Sequence, residues 1–193
     1  MADARDRMPE AEVALKVAAW LVKRHAVTTC DVKIDGAHVL VAENEIFPIR
    51  QFLQRQRWEP FKEEHERWQG TYTCDDRELK ISSKSGFDVV AGIGSRTIRV
   101  ECKGGPLVPK KGKSERVIFQ SAIGQALTAT DCEIGDIIAV AVPDSKRFRK
   151  VRDEFTTNST NNRFLKTEIK ILLVAEDDEG SVNGLDPEPG RPL

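Results

Sequence analysis

The run GFDVVAGIGSRTIRVECKGG, residues 86–105, decides the fold. Within it, Phe87–Ala91 and Thr97–Lys103 alternate between two kinds of side chain, the period of a half-buried strand. Gly92-Ile-Gly94-Ser95 separates them with turn residues, so the two segments are expected to form a hairpin. Alternation puts Phe87, Val89, Ala91, Ile98, Val100 and Cys102 on one wholly apolar face. Asp88, Val90, Arg99, Glu101 and Lys103 fall on the other. A two-residue turn at Gly94-Ser95 sets Asp88 directly across from Glu101, with Cβ atoms roughly 4.5–5.5 Å apart. A loop two residues longer leaves the two carboxylates diagonal on the same face. A one-residue slip separates them unless a bulge intervenes.

Upstream, Leu79–Ser83 reads as a further strand. Residues 8–25 read as a helix, because Val13, Val17, Trp20 and Leu21 form one stripe. Cys30–Ile34 and His38–Ala42 flank Asp35-Gly36, a local hairpin signal. A short helix fits Ile49–Gln56 after Pro48. Residues 58–70 give no clear pattern, although Trp58 and Trp68 call for packing partners.

Downstream, Gly104-Gly105-Pro106 ends the strand, and a basic loop runs to Ser114, ahead of a helix at about 115–130. The continuous apolar run Ile137–Val142 reads as a strand buried on both faces. Pro143 ends it. A helix over 144–155, a polar loop and a final strand, Lys170–Val174, complete the pattern. The expected fold class is α/β: a central mixed β-sheet flanked by helices, with an N-terminal helix plus hairpin extension. The expected organisation is an extension at 1–43, a core at 44–175 and an acidic, Pro/Gly-rich disordered tail at 176–193.

The 193 residues, 39% hydrophobic and 32% charged, suit a soluble globular chain. No apolar run approaches the ~20 residues of a membrane helix, and the charged N-terminus does not read as a secretory signal. Cys30, Cys74, Cys102 and Cys132 are scattered, without zinc or disulfide spacing. A cytoplasmic protein with no membrane partner is the expectation. Net charge is −1, but residues 176–193 carry six acidic residues against Arg191, leaving the rest of the chain at +4. Lys103, Lys110, Lys111, Lys113 and Arg116 form one basic group; Lys146, Arg147, Arg149, Lys150 and Arg152 form another. Such groups attract polyanions, or simply make a solvated face.

Two converging carboxylates repel each other and favour a divalent cation between them. Oxygen-only ligands suit Mg²⁺, which polarises phosphoryl oxygens and acidifies bound water. A lysine two residues along the strand can orient that water or offset charge in the transition state. Asp88, Glu101 and Lys103 are therefore candidates for phosphodiester hydrolysis. The plain alternative is a polar hairpin face in solvent. Lys110, Lys111, Lys113 and Arg116 follow directly and are candidates for binding flanking phosphates of a nucleic acid.

Gly86-Phe-Asp88-Val-Val-Ala, Ile98-Arg-Val-Glu101-Cys-Lys103 and Ala122-Ile-Gly124-Gln125-Ala-Leu together resemble the PD-(D/E)XK, restriction-endonuclease-like nuclease superfamily, over about residues 71–175. The resemblance implies a metal-dependent endonuclease acting on DNA in repair, restriction or defence. It implies Asp88 and Glu101 as ligands of Mg²⁺, with Mn²⁺ able to substitute, and Lys103 as the lysine that assists the attacking water. It further implies a glutamine near the site, with Gln125 the candidate and Gln120 the runner-up. Phe87 stands where the name-giving proline would be. Ala129 replaces the tyrosine of the QxxxY form. Members often add a helix glutamate, and Glu10, Glu12, Glu63 and Glu64 compete for that role. Residues 1–43 lie outside the resemblance. A homodimer is an arrangement common among such cores.

Two other classes compete: a catalytically silent, nuclease-like nucleic-acid-binding or interaction module, and a structural protein with a merely solvated acidic hairpin. Gly92-Ile-Gly94 lacks the third glycine of a dinucleotide site, and no P-loop motif is present. His25, His38 and His65 show no metal-ligand spacing.

Overall fold

The computed structural model describes residues 6–25, 27–36, 39–41, 44–61, 68–83, 86–108, 115–157, 166–177 and 180–185. In chain order the elements are β1 (Arg7–Met8), α1 (Glu10–Arg24), β2 (Thr29–Lys33), β3 (Leu40–Val41), β4 (Asn44–Glu45), α2 (Ile49–Arg55), β5 (Glu59–Pro60) and β6 (Gly70–Cys74). There follow β7 (Arg77–Ser82), β8 (Val89–Ile93), β9 (Arg96–Cys102), β10 (Gly105–Pro106), α3 (Glu115–Thr128), β11 (Ile137–Pro143), α4 (Lys146–Thr157), β12 (Lys170–Val174) and β13 (Val182–Asn183).

Nine of these strands make one mixed sheet, in the order β13-β12-β11-β9-β8-β2-β7-β6-β5. β9, β11 and β12 run parallel to one another. Parallel neighbours need a crossover, and α3 and α4 supply the two. Helices cover both faces. α1 and α2 bury their apolar residues in one core, with Cys30, Ile98, Val100, Ala139 and Ala141. α3 and α4 bury theirs in a second core, with Val140, Val142 and Leu173. β11 therefore feeds both cores alternately, which is why its sequence is apolar throughout. No described helix is long and apolar enough to cross a membrane.

The hairpin of β8 and β9 forms in the expected register, with Val89 opposite Val100 and Ile93 opposite Arg96. Three expectations need correction. First, the hairpin across Asp35-Gly36 is not made among the described residues; His38 and Ala42, the ends of its expected second strand, lie outside them. β2 instead enters the central sheet, parallel to β7 and antiparallel to β8. β3 pairs with β4 in a separate two-stranded piece. Thus α1 and β2 are parts of the sheet layers and not an appended extension. Second, Phe87 does not share the face of Val89. β8 begins only at Val89, and Phe87 packs in the second core with Phe119 and Ala122. Third, the acidic tail contributes structure: β13 lies within it and pairs with β12, while residues 186–193 lie outside the described residues.

The region without a clear pattern holds β5 and β6 at the far edge. Tyr72 Oη donates to the Trp68 carbonyl at 2.9 Å, and Trp58 and Trp68 are buried in the first core.

Gly104 and Gly105 set the place of β1 and the start of α1. β1 pairs with β10, Met8 opposite Gly105. A Cβ at Gly104 would fall 2.6 Å from the Glu10 nitrogen and 2.7 Å from the Met8 carbonyl oxygen. One at Gly105 would fall 2.7 Å from the Phe148 ring. Glycine at 104 thus lets the first turn of α1 dock against the end of β9. The close approach at Gly104 is made by the chain's own backbone, and that at Gly105 by the Phe148 ring.

Candidate active site

The β8–β9 ladder stops at Val89 and Val100, one residue short of the carboxylates. Beyond that rung Asp88 bends away from the strand. Its carbonyl accepts from the Lys33 N–H at 2.7 Å. Its Oδ2 accepts from the Cys102 N–H at 2.7 Å, so a side chain takes the place of a ladder bond. On its other edge β9 remains paired: Glu101 lies opposite Val140, and the Lys103 N–H donates to the Ala141 carbonyl at 2.9 Å. One edge of β9 is therefore pinned, and a pocket of about 750 Å³ opens at the other.

Asp88, Glu101, Lys103 and Gln125 all line this pocket. Glu101 is 8% exposed. Lys103 Nζ sits 2.9 Å from Glu101 Oε1 and 3.4 Å from Glu10 Oε1. Glu10 also lines the pocket and stands in the first turn of α1, where the helix dipole favours a carboxylate. Of the two competing glutamates among the described residues, Glu10 and Glu12, it is the one beside Lys103. Glu12 is buried against Lys16, and Glu63 and Glu64 lie outside the described residues. Gln125, with Thr128 and Ala129, brings the C-terminal part of α3 to the rim. Gln120 is exposed and does not line the pocket.

The electrostatics reflect too many carboxylates in a small space. Burial, and then the charge of Glu101, push Asp88 up to about 8, against the lowering effect of the Cys102 N–H. Burial also raises Glu101, opposed by its hydrogen bond from Lys103. For Lys103, burial pulls downward, but the hydrogen bond to Glu101 and the surrounding carboxylates outweigh it, leaving the ammonium firmly charged. Two acids displaced towards neutrality beside a fixed cation make a functional-site pattern.

The donor set fits a hard divalent cation. Asp88 and Glu101 offer oxygen alone, and among the described residues no histidine or cysteine lines the pocket. Among the described residues no three or more His, Cys, Asp and Glu side chains gather into a complete cage. Mg²⁺ does not require one, because it draws remaining ligands from water and phosphate.

The expected phosphate-binding loop fares differently. Lys110, Lys111 and Lys113 lie outside the described residues. Arg116 does not line the pocket; it pairs with Glu154 and lies 5.9 Å from the centre of the Phe155 ring. In the second basic group Arg147 meets Glu115, Arg149 meets Asp144 and Arg152 meets Asp153. Those three arginines have local acidic partners. Lys33, Asp35, Thr130 and Asp131 also line the pocket; Asp35 had entered only as a turn residue, and no motif had pointed to any of the four as a site residue.

No protein-family model, no curated protein and no solved structure matches the chain.

Proposed function

We propose that this chain is a Mg²⁺-dependent nuclease with a restriction-endonuclease-like core, hydrolysing phosphodiester bonds, with DNA as the expected substrate. The observation that carries this reading is the convergence of Asp88, Glu101 and Lys103 on one pocket, with Glu101 hydrogen-bonded to Lys103 at 2.9 Å. Glu10 and Gln125 at the same pocket add to it. The strand–strand–helix–strand order of β8, β9, α3 and β11 agrees with the resemblance.

Asp88 and Glu101 would hold the cation. When bound, Mg²⁺ supplies Lewis acidity towards a phosphoryl oxygen and a bound water of lowered pKa. The Cys102 N–H occupies one oxygen of Asp88 and thereby fixes the direction of the carboxylate. To hold the cation Asp88 would have to give up its proton, as carboxylate ligands generally do. Glu10 and Glu101 hold the Lys103 ammonium from two sides. From there it orients the attacking water and offsets negative charge as the new oxygen–phosphorus bond forms and the ester bond breaks. Gln125, which lines the pocket from α3, would hydrogen-bond a phosphate oxygen or the water.

The test uses purified protein with supercoiled plasmid, linear duplex and single-stranded DNA, each with Mg²⁺, Mn²⁺ or EDTA. Metal-dependent cutting, absent from a Glu101→Ala/Lys103→Ala variant of unchanged thermal stability, supports the reading. DNA binding without cutting by the wild type would turn it towards a silent, nuclease-like binding module.

A further inference from the structure

Lys33 ends β2, the strand whose partners local pattern misassigned. Val32 lies opposite Val89, so the next rung sets Lys33 beside Asp88, and the Lys33 N–H indeed donates to the Asp88 carbonyl. On the other edge Val89 lies opposite Val100, so the next rung sets Glu101 beyond Asp88. Lys33, Asp88 and Glu101 thus follow one another across three neighbouring chain segments, although the regular ladder itself ends at Val89. All three line the pocket.

The place of the Lys33 ammonium is built into the backbone. Gly86 has φ +116°, and a Cβ there would fall 2.3 Å from Lys33 Nζ. Glycine at 86 leaves the volume that the ammonium fills. The same Cβ would fall 3.2 Å from Asp131 Oδ2, which lies 3.8 Å from Arg99. Lys103, the other lysine of the pocket, is held by two carboxylates, while Lys33, with the Asp131 carboxylate beside the same glycine, makes no ion pair among the described residues.

We infer that Lys33 binds the substrate phosphate next to the scissile one, an inference that rests on the nuclease reading. The scissile phosphate belongs at Asp88, Glu101 and Lys103. Lys33 stands across Asp88 from Glu101, where the continuing backbone of a polynucleotide carries its next phosphate. A compact ammonium on a flexible stem serves that role as a point charge.

The experiment measures cleavage and binding of a fluorescein-labelled duplex oligonucleotide by wild type, Lys33→Ala, Lys33→Arg and Gly86→Ala. Cleavage is followed in Mg²⁺, and binding by anisotropy in Ca²⁺, both across a series of KCl concentrations. Lys33→Ala should raise KM about tenfold with kcat nearly unchanged, the size and pattern of one lost charge-assisted contact made in ground and transition states alike. It should flatten the slope of log affinity against log salt by about one. Lys33→Arg should restore both. Gly86→Ala keeps the lysine but displaces its ammonium, and should reproduce the rise in KM. Thermal melts identify any variant that fails to fold. If wild type cuts DNA while Lys33→Ala leaves KM and salt slope unchanged, the inference fails and the nuclease reading stands. A fall in kcat alone also overturns it. If wild type binds without cutting, the salt slopes of wild type and Lys33→Ala still decide the matter. If wild type neither binds nor cuts, both readings fall.

Discussion

Glu12–Lys16 and Glu101–Lys103 join the same two groups at nearly the same separation, 3.0 and 2.9 Å, in opposite surroundings. Lys16 and Glu12 are 2% and 1% exposed. Lys16 Nζ also donates to the Ala175 and Glu176 carbonyls, at 3.1 and 2.8 Å, tying α1 to the end of β12. The ammonium thus meets three oxygens, and Gly180 closes over its stem. Glu101 and Lys103 open into a pocket instead. Asp88 and Glu10 crowd the same space, and burial and charge hold Asp88 near neutrality. A buried ion pair is structural when its remaining valences are filled by the protein. Left open beside surplus carboxylate, the same pair is prepared for something that arrives from outside. Such an arrangement marks functional sites more often than structural ones.

Mutation of each pair should separate the two roles. The largest effect is expected at the open pair: Glu101→Ala or Lys103→Ala should lower the cleavage rate by about 10³-fold, with melting temperature little changed. Kinetics and thermal scans of the same preparations check both halves. At the closed pair, Lys16→Met leaves Glu12 buried without its cation and should lower unfolding stability by about 3–5 kcal/mol, read by urea titration. Cleavage per folded molecule should be unaffected. Restoring stability with Glu12→Gln in the Lys16→Met background would sharpen the contrast. Gln125→Ala should have a smaller effect on cleavage, about tenfold, because one neutral hydrogen bond is lost.

A further effect is a matter of pH. Asp88 has a folded pKa of about 8, above the ordinary carboxyl value of about 4. Its contribution to stability is therefore complete below about pH 4 and is lost as pH rises to about 8. Glu101 shifts in the same direction. The EDTA-treated protein should lose melting temperature between pH 6 and pH 9, and Mg²⁺ should restore more of it at pH 9. Equal Mg²⁺ effects at the two pH values would break the assignment of the surplus charge to a cation site.

Much of the site could be read from local alternation. The Gly94-Ser95 turn sets the β8–β9 register, and that register brings Asp88, Glu101 and Lys103 together. The double-sided burial of Ile137–Val142 follows from its unbroken apolar run. What escaped depends on contacts distant in sequence. Asp35-Gly36 carries a local hairpin signal, yet β2 pairs with β7 and β8 about fifty residues later, where Val32 meets Ile81 and Val89. Without that pairing Lys33 has no visible relation to Asp88. Glu10 reaches Lys103 only because Gly104 seats the first turn of α1, a contact about ninety residues apart in sequence. Phe87 changed faces because the strand breaks at Asp88, where a carboxylate replaces a ladder bond. The break that defeated the alternation pattern is the one that opens the pocket.

The most direct test compares single-turnover plasmid cleavage in Mg²⁺ by wild type, Glu101→Gln and Lys16→Met, each checked for its folded fraction. The account predicts Mg²⁺-dependent cleavage by wild type, the same rate per folded molecule for Lys16→Met, and loss of cleavage for a fully folded Glu101→Gln. Cleavage that survives Glu101→Gln would contradict it.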